Sequence, residues 1–104
     1  MKRPEIVERI RDVIHRVNPG MQTILFGSEA RGDARQDSDI DLLILVDADR
    51  ITLAEESRIT DDLYNIEFET GVLINPKVVT RKQWETARKQ TLFYQNVMRE
   101  GVLL

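Results

Sequence analysis

The chain has no cysteine, one histidine, one tryptophan and no apolar run that approaches membrane length. The absence of cysteine excludes disulfides, thiolate nucleophiles and Cys-based zinc sites. His15 falls near the polar side of the first helical segment and reads as a surface residue, not a ligand. Without a membrane span, and with an amphipathic rather than signal-like start over residues 1–16, a cytoplasmic protein is expected. A basic stripe of the kind that holds nucleic acid is also missing, so a long RNA or DNA substrate is disfavoured.

What is present describes an ordinary soluble globular domain: 104 residues, 41% hydrophobic and 32% charged. That length supports one domain over residues 1–104, with a core of its own but no room for a second substrate-binding module. The net charge of −3 conceals an asymmetry, because residues 21–80 carry 13 acids against 5 bases while both ends are basic. Like charges crowded together repel unless a cation or solvent compensates them. Solvated surface accounts for Asp33, Asp37, Asp47 and Asp49, and a metal site accounts for part of the remainder.

Apolar spacing lays out the elements. Ile6, Val7, Ile10, Val13, Ile14 and Val17 repeat at helical intervals after Pro4, and Asn18-Pro19-Gly20 is a stop signal. Met21 to Phe26 reads as a short buried strand, Ser28 as the cap of a brief helix or turn through Arg31, and residues 32–37 as polar loop. The run from Asp39 to Val46 is a strand apolar on both faces, hence central in its sheet. Residues 50–70 form a helix ended by Gly71. Val72 to Thr80 is a strand in which Pro76 demands an edge or a bulge. Residues 81–90 and 92–100 are helical, the second stopped by Gly101. The order αβ(α)βαβαα is a mixed α/β fold, a small sheet packed against helices.

The most informative segment is Gly27-Ser28-Glu29-Ala30-Arg31-Gly32 followed by Ser38-Asp39-Ile40-Asp41-Leu42. Gly27 has no Cβ and lets a phosphate approach the backbone. Ser28 offers a hydroxyl at the start of a helical turn whose N–H groups attract anions. Asp39 and Asp41 stand two apart, on one face of a strand and roughly 6–7 Å from each other along it. Two convergent carboxylates beside a phosphate-sized turn suit Mg²⁺ held against a nucleoside triphosphate. Either half of the pattern is weak alone; the combination between two apolar strands is a strong signal for nucleotidyl transfer.

On these residues the chain resembles the minimal nucleotidyltransferases of the DNA polymerase beta-like superfamily, most specifically over Phe26 to Val46. The resemblance implies triphosphate contact by Gly27 and Ser28, metal ligation by Asp39 and Asp41, ATP or another NTP as donor, and Mg²⁺ as cofactor. It also implies a HEPN-domain or other helical acceptor-binding partner, with this chain as an antitoxin that adenylylates its toxin on tyrosine or simply binds and neutralises it. The family usually supplies a third carboxylate on the strand after the next helix, and the matching position here is Asn75. An amide coordinates a cation weakly and cannot take the proton of an attacking hydroxyl. Lys77, on the same strand face, is a phosphate contact, a stand-in for a second metal, or an exposed edge lysine. Arg31 is a phosphate contact or a brace for its own loop, and Arg35 a phosphate or acceptor contact or a surface residue. Ser38 secures its turn by a local hydrogen bond, and Glu67 and Glu69 cap or solvate a helix end. Trp84, Phe93 and Tyr94 read as packing residues, or as partner anchors if exposed. A homo-oligomer is compatible with this sequence.

Overall fold

The computed structural model of the chain describes residues 3–17, 19–87 and 91–104. The first helix, α1 (Pro4–Val17), has proline in its opening turn and buries Val7, Ile10, Val13 and Ile14 along one stripe. It is followed by β1 (Gln22–Phe26), the short helix α2 (Gly27–Arg31) and β2 (Ile40–Val46). Then come α3 (Leu53–Thr70), β3 (Ile74–Thr80), α4 (Arg81–Ala87), α5 (Leu92–Glu100) and the two-residue β4 (Val102–Leu103). The expected stop at Asn18 and the last three residues of the helix expected over 81–90 lie outside the described residues.

The sheet has the order β3-β2-β1-β4. β2 pairs antiparallel with β1 and parallel with β3. Six of its seven residues are buried, as the run of apolar side chains on both faces requires. Each such side chain contributes about 1.5–3 kcal/mol on burial, so this is the least movable strand in the sheet. Pro76 lies on β3, which is an edge strand, and its missing N–H therefore costs no ladder bond on the open side.

Alternation along the strands divides the interior. Leu25, Ile40, Leu42, Ile44 and Ile74 face α1 and α3, together with Ile59, Leu63 and Ile66 of α3. Leu43 and Leu45 face the opposite way, against Trp84 of α4 and Val97 of α5, with Ile24, Phe26, Val79, Phe93 and Tyr94 at the margin. Two cores therefore sandwich one sheet.

β1 and β2 each start one residue later than the sequence reading, at Gln22 and Ile40, and other differences have local reasons. α3 starts at Leu53 because the Thr52 hydroxyl caps it, accepting from the Glu55 N–H at 3.2 Å and donating to the Glu55 carboxylate at 3.0 Å. Ile51 thus stays outside the helix and packs on the core from the loop. β3 begins at Ile74, two residues late, since its ladder with β2 starts where Ile40 pairs with Ile74. β4 was not anticipated: after Gly101, Val102 and Leu103 pair with Leu25 and Ile24. Gly101 permits this, because a Cβ there would lie 2.6 Å from an Ile24 methyl.

One polar contact ties the two ends of this half together. Glu29 of α2 is fully buried, and its carboxylate accepts from Arg3 Nε at 2.7 Å and from the Arg3 backbone N–H at 2.8 Å. The residue just before α1 thereby anchors the short helix after β1. Breaking a buried ion pair strands its partner in a medium that solvates charge poorly. Arg3→Ala is expected to lower stability by about 3 kcal/mol, read from denaturant unfolding, and Arg3→Met with Glu29→Leu to recover most of that loss.

Candidate functional site

The register of the sheet builds the site. Phe26 pairs with Asp41 across the antiparallel ladder, and Asp41 pairs with Asn75 across the parallel one. One row therefore runs Phe26, Asp41, Asn75 across three strands, on the face that carries α4 and α5. Residues 15 to 49 positions apart in sequence converge there because β2 is pinned between its neighbours.

Gly27 turns out of β1 with φ of 76°, and a Cβ at that position would sit 2.4 Å from Asp41 Oδ2. Only glycine meets both conditions, the left-handed backbone and the close approach. The other carboxylate oxygen, Oδ1, accepts from Asn75 Nδ2 at 3.2 Å. Asp41 is half-buried and Asp39, one residue before β2 begins, is exposed. Burial lifts the Asp41 carboxyl above its usual range and the charge of Asp39 adds to the lift; the Asn75 hydrogen bond and the charges of Arg31 and Lys77 act against it. A carboxylate raised by burial and by a like neighbour, next to a cradle that any side chain at position 27 would fill, fits a divalent cation. Among the described residues no three His, Cys, Asp or Glu side chains are placed to share a metal. Asp39 and Asp41 would therefore hold it as a pair, completed by oxygens of a ligand.

The remaining residues fall into place around this pair. The helix α2 begins at Gly27, with Phe26 as its cap residue and no side-chain cap bond. Ser28 is thus inside the first turn and does not cap it, which corrects the sequence reading: the turn of chain at Gly27 starts the helix one residue early. Arg31 donates to Asp33 at 3.2 Å and to Glu100 of α5 at 3.3 Å, and these hydrogen bonds raise its pKa further. It braces the turn against α5. Lys77 stands one row in from Asn75, opposite Leu43, with its ammonium 5.0 Å from the centre of the Phe93 ring.

Ser38 Oγ accepts from the Arg35 N–H at 2.9 Å, the local bond expected of it. Glu67 caps the start of β3 by accepting from the Ile74 N–H at 2.9 Å, and Glu69 pairs with Arg9. His15, Asp33, Arg35, Asp37, Asp47 and Asp49 are exposed. Trp84 is buried and Phe93 and Tyr94 are half-buried, as packing residues should be. The sequence reading missed the Arg3–Glu29 anchor and the seat that Phe93 gives Lys77. A glutamate in a segment otherwise busy with backbone turns was a usable signal for the first. Nothing in the sequence spacing brings Phe93 to Lys77.

The sheet thus sets a left-handed glycine turn directly against Asp41, two residues after Asp39. Residues 7–104 match the family described as nucleotidyltransferase domain, and the chain belongs to that family. Two proteins of Methanocaldococcus jannaschii, each named a "putative protein adenylyltransferase", resemble it at 36% identity over 81 residues and 38% over 66. The first alignment covers 78% of this chain and 74% of the relative; the second covers 64% and 65%. Among solved structures, a protein described as a "putative minimal nucleotidyltransferase" superposes with a TM-score of 0.63 at 28% identity, over 100% of this chain and 97% of the other. A toxin–antitoxin structure with AMP-PNP shares the fold, with a TM-score of 0.60 at 21% identity over 92% of this chain and 69% of the other. The fold is the nucleotidyltransferase fold. Among the described residues no helix is long and apolar enough to cross a membrane.

Two outcomes follow from the geometry. Gly27→Ala places a methyl against Asp41 and forces a left-handed backbone on alanine, which is expected to cost at least about 1–2 kcal/mol in chemical unfolding. The second concerns pH. Asp41 titrates above its ordinary value when folded, so the folded chain binds that proton more tightly than the unfolded one. Stability is therefore lost as pH rises from the ordinary value through the raised one. In metal-free buffer, Asp41→Asn should raise the melting temperature at pH 7, and the gain should vanish below the ordinary carboxylate pKa.

Proposed function

We propose that the chain is a Mg²⁺-dependent nucleotidyltransferase that moves AMP from ATP to a hydroxyl of a protein or small acceptor. The observation that carries this reading is the approach of Gly27 to Asp41, which sets a turn able to receive phosphate directly against a carboxylate able to hold a cation. The 36% identity to a protein named as an adenylyltransferase supports AMP as the group transferred.

Gly27 and the first turn of α2 would receive the triphosphate, with the Ser28 hydroxyl beside it. Arg31, held by Glu100, and Lys77, held by Phe93, would face its oxygens as fixed positive charges. Asp39 and Asp41 would hold Mg²⁺. When bound, that ion supplies polarisation of the α-phosphate and neutralisation of the departing pyrophosphate. The acceptor hydroxyl oxygen forms its bond to the α-phosphorus and gives up its proton to solvent, the bond from that phosphorus to the oxygen bridging to the β-phosphorus breaks, and pyrophosphate leaves. A cytoplasmic setting, where ATP and Mg²⁺ are available, suits this chemistry. The domain would comprise residues 1–104, and a HEPN-type helical protein would serve as partner and acceptor, in keeping with the toxin–antitoxin structures that share the fold.

One observation favours a second reading. Asn75 occupies the third place of the row and donates to Asp41 where a carboxylate could have accepted a proton or bound a cation. On that reading the chain is a weakly active or inactive NTP-binding antitoxin subunit that neutralises its partner by binding.

Incubation with α-labelled ATP, Mg²⁺ and the product of the adjacent gene separates the two. Transfer is expected on that protein, lost with Asp39→Ala or Asp41→Ala, and raised by Asn75→Asp by roughly tenfold or more as a base becomes available. A tight complex that acquires no label and is indifferent to the aspartate substitutions would sink the catalytic reading.

A further inference from the structure

The face that carries Asp41 also carries a cation of its own. Reading across the sheet, the row Phe26–Asp41–Asn75 is followed by the row Ile24–Leu43–Lys77. Lys77 is exposed on the edge strand, yet its ammonium is placed: it lies 5.0 Å from the centre of the Phe93 ring. The ring is itself locked. It meets Phe26 edge-on at 5.4 Å and 87°, and Trp84 edge-on at 5.8 Å and 88°. Phe26 immediately precedes Gly27, so the same aromatic stack borders the phosphate turn and seats the lysine. A cation over an aromatic face is held by the ring quadrupole, which restricts a side chain that is otherwise freely rotating.

Charge counting gives this placement a purpose. Two divalent ions against a triphosphate are ordinarily shared among several carboxylates. Here the third position of the row is an amide, and that amide donates to Asp41 Oδ1, taking up an oxygen a second ion would use. Two residues further along the same strand face, the chain supplies a fixed positive charge. A neutral amide and a cation thus follow one another on the same face of a single strand.

We propose that Lys77, positioned by Phe93, takes the place of a second divalent cation at the triphosphate, so that the site binds a single divalent ion. This rests on the nucleotide site proposed above and specifies its metal content. Lys77 is the phosphate-contacting group, and Phe93 is a positioning residue that acts through it.

The test counts metal and needs no turnover. Electron paramagnetic resonance follows Mn²⁺ binding to the full chain with a non-hydrolysable ATP analogue, and calorimetry gives the analogue's affinity. Wild type should take up one Mn²⁺ per bound analogue. Lys77→Met should weaken the analogue roughly tenfold, while Lys77→Arg, which keeps the charge and the ring contact, should stay within about threefold of wild type. Phe93→Leu, checked for folding by circular dichroism, should weaken it about threefold, and the loss should disappear in the Lys77→Met background. Asn75→Asp combined with Lys77→Met should take up a second Mn²⁺. Two Mn²⁺ per analogue in wild type, or full affinity in Lys77→Met, would overturn this inference and leave the nucleotide site intact. Failure of wild type to bind the analogue at millimolar concentration would overturn both.

Discussion

The close approach of Gly27 to Asp41 is the constraint on which the rest of the site depends. It exists because β1 leaves the sheet at Phe26, directly across the ladder from Asp41, and turns at once through a left-handed glycine into α2. Any other residue at that point would displace the carboxylate or the turn. The cost of the arrangement is electrostatic, since Asp41 is half-buried beside Asp39 and its carboxyl is lifted accordingly. Sites that hold charge in readiness for a ligand carry this kind of penalty until the ligand arrives.

The two-faced sheet explains how so small a chain keeps such a site in place. α1 and α3 cover one face and bury the larger apolar core, which fixes β2. The other face is shared between a smaller core, built on Leu43, Leu45, Trp84 and Val97, and the polar row at its end. Ion pairs then tie α2 to the rest of the chain: Arg3 anchors it through Glu29, and Glu100 of α5 anchors it through Arg31. Of these, the buried Arg3–Glu29 pair carries the greater energetic weight, because the exposed Arg31 pairs are screened by solvent.

Much of this was legible in the residues. The helical stripe of α1, the doubly apolar β2 and the edge position implied by Pro76 follow from periodicity and from the missing proline N–H. The Gly27-Ser28 turn and the Asp39–Asp41 pair follow from their spacing. Asn75 was matched to a third-carboxylate position only through the family resemblance, and the parallel register sets it opposite Asp41. What was not legible depends on contacts between distant segments. A two-residue strand such as β4 has no periodicity to detect, and it exists because Gly101 lets the chain close on Ile24. The start of α3 was available in the Thr52-Leu53-Ala54-Glu55 pattern but was outweighed by the apolar Ile51. The start of α2 at Gly27 rather than after Ser28 reflects a backbone turn, not a side-chain cap. The meeting of Lys77 with Phe93 depends on how α5 crosses the sheet, and no local rule encodes that crossing.

The central claim is that the paired carboxylates and the Gly27 turn form one ligand site. Crystals grown with Mn²⁺ and a non-hydrolysable ATP analogue test it most directly, through anomalous scattering at the manganese edge. The account predicts a manganese peak between the Asp39 and Asp41 carboxylates, with the triphosphate lying against Gly27 and Ser28. Manganese absent from that pair, or a nucleotide bound elsewhere on the chain, would contradict it.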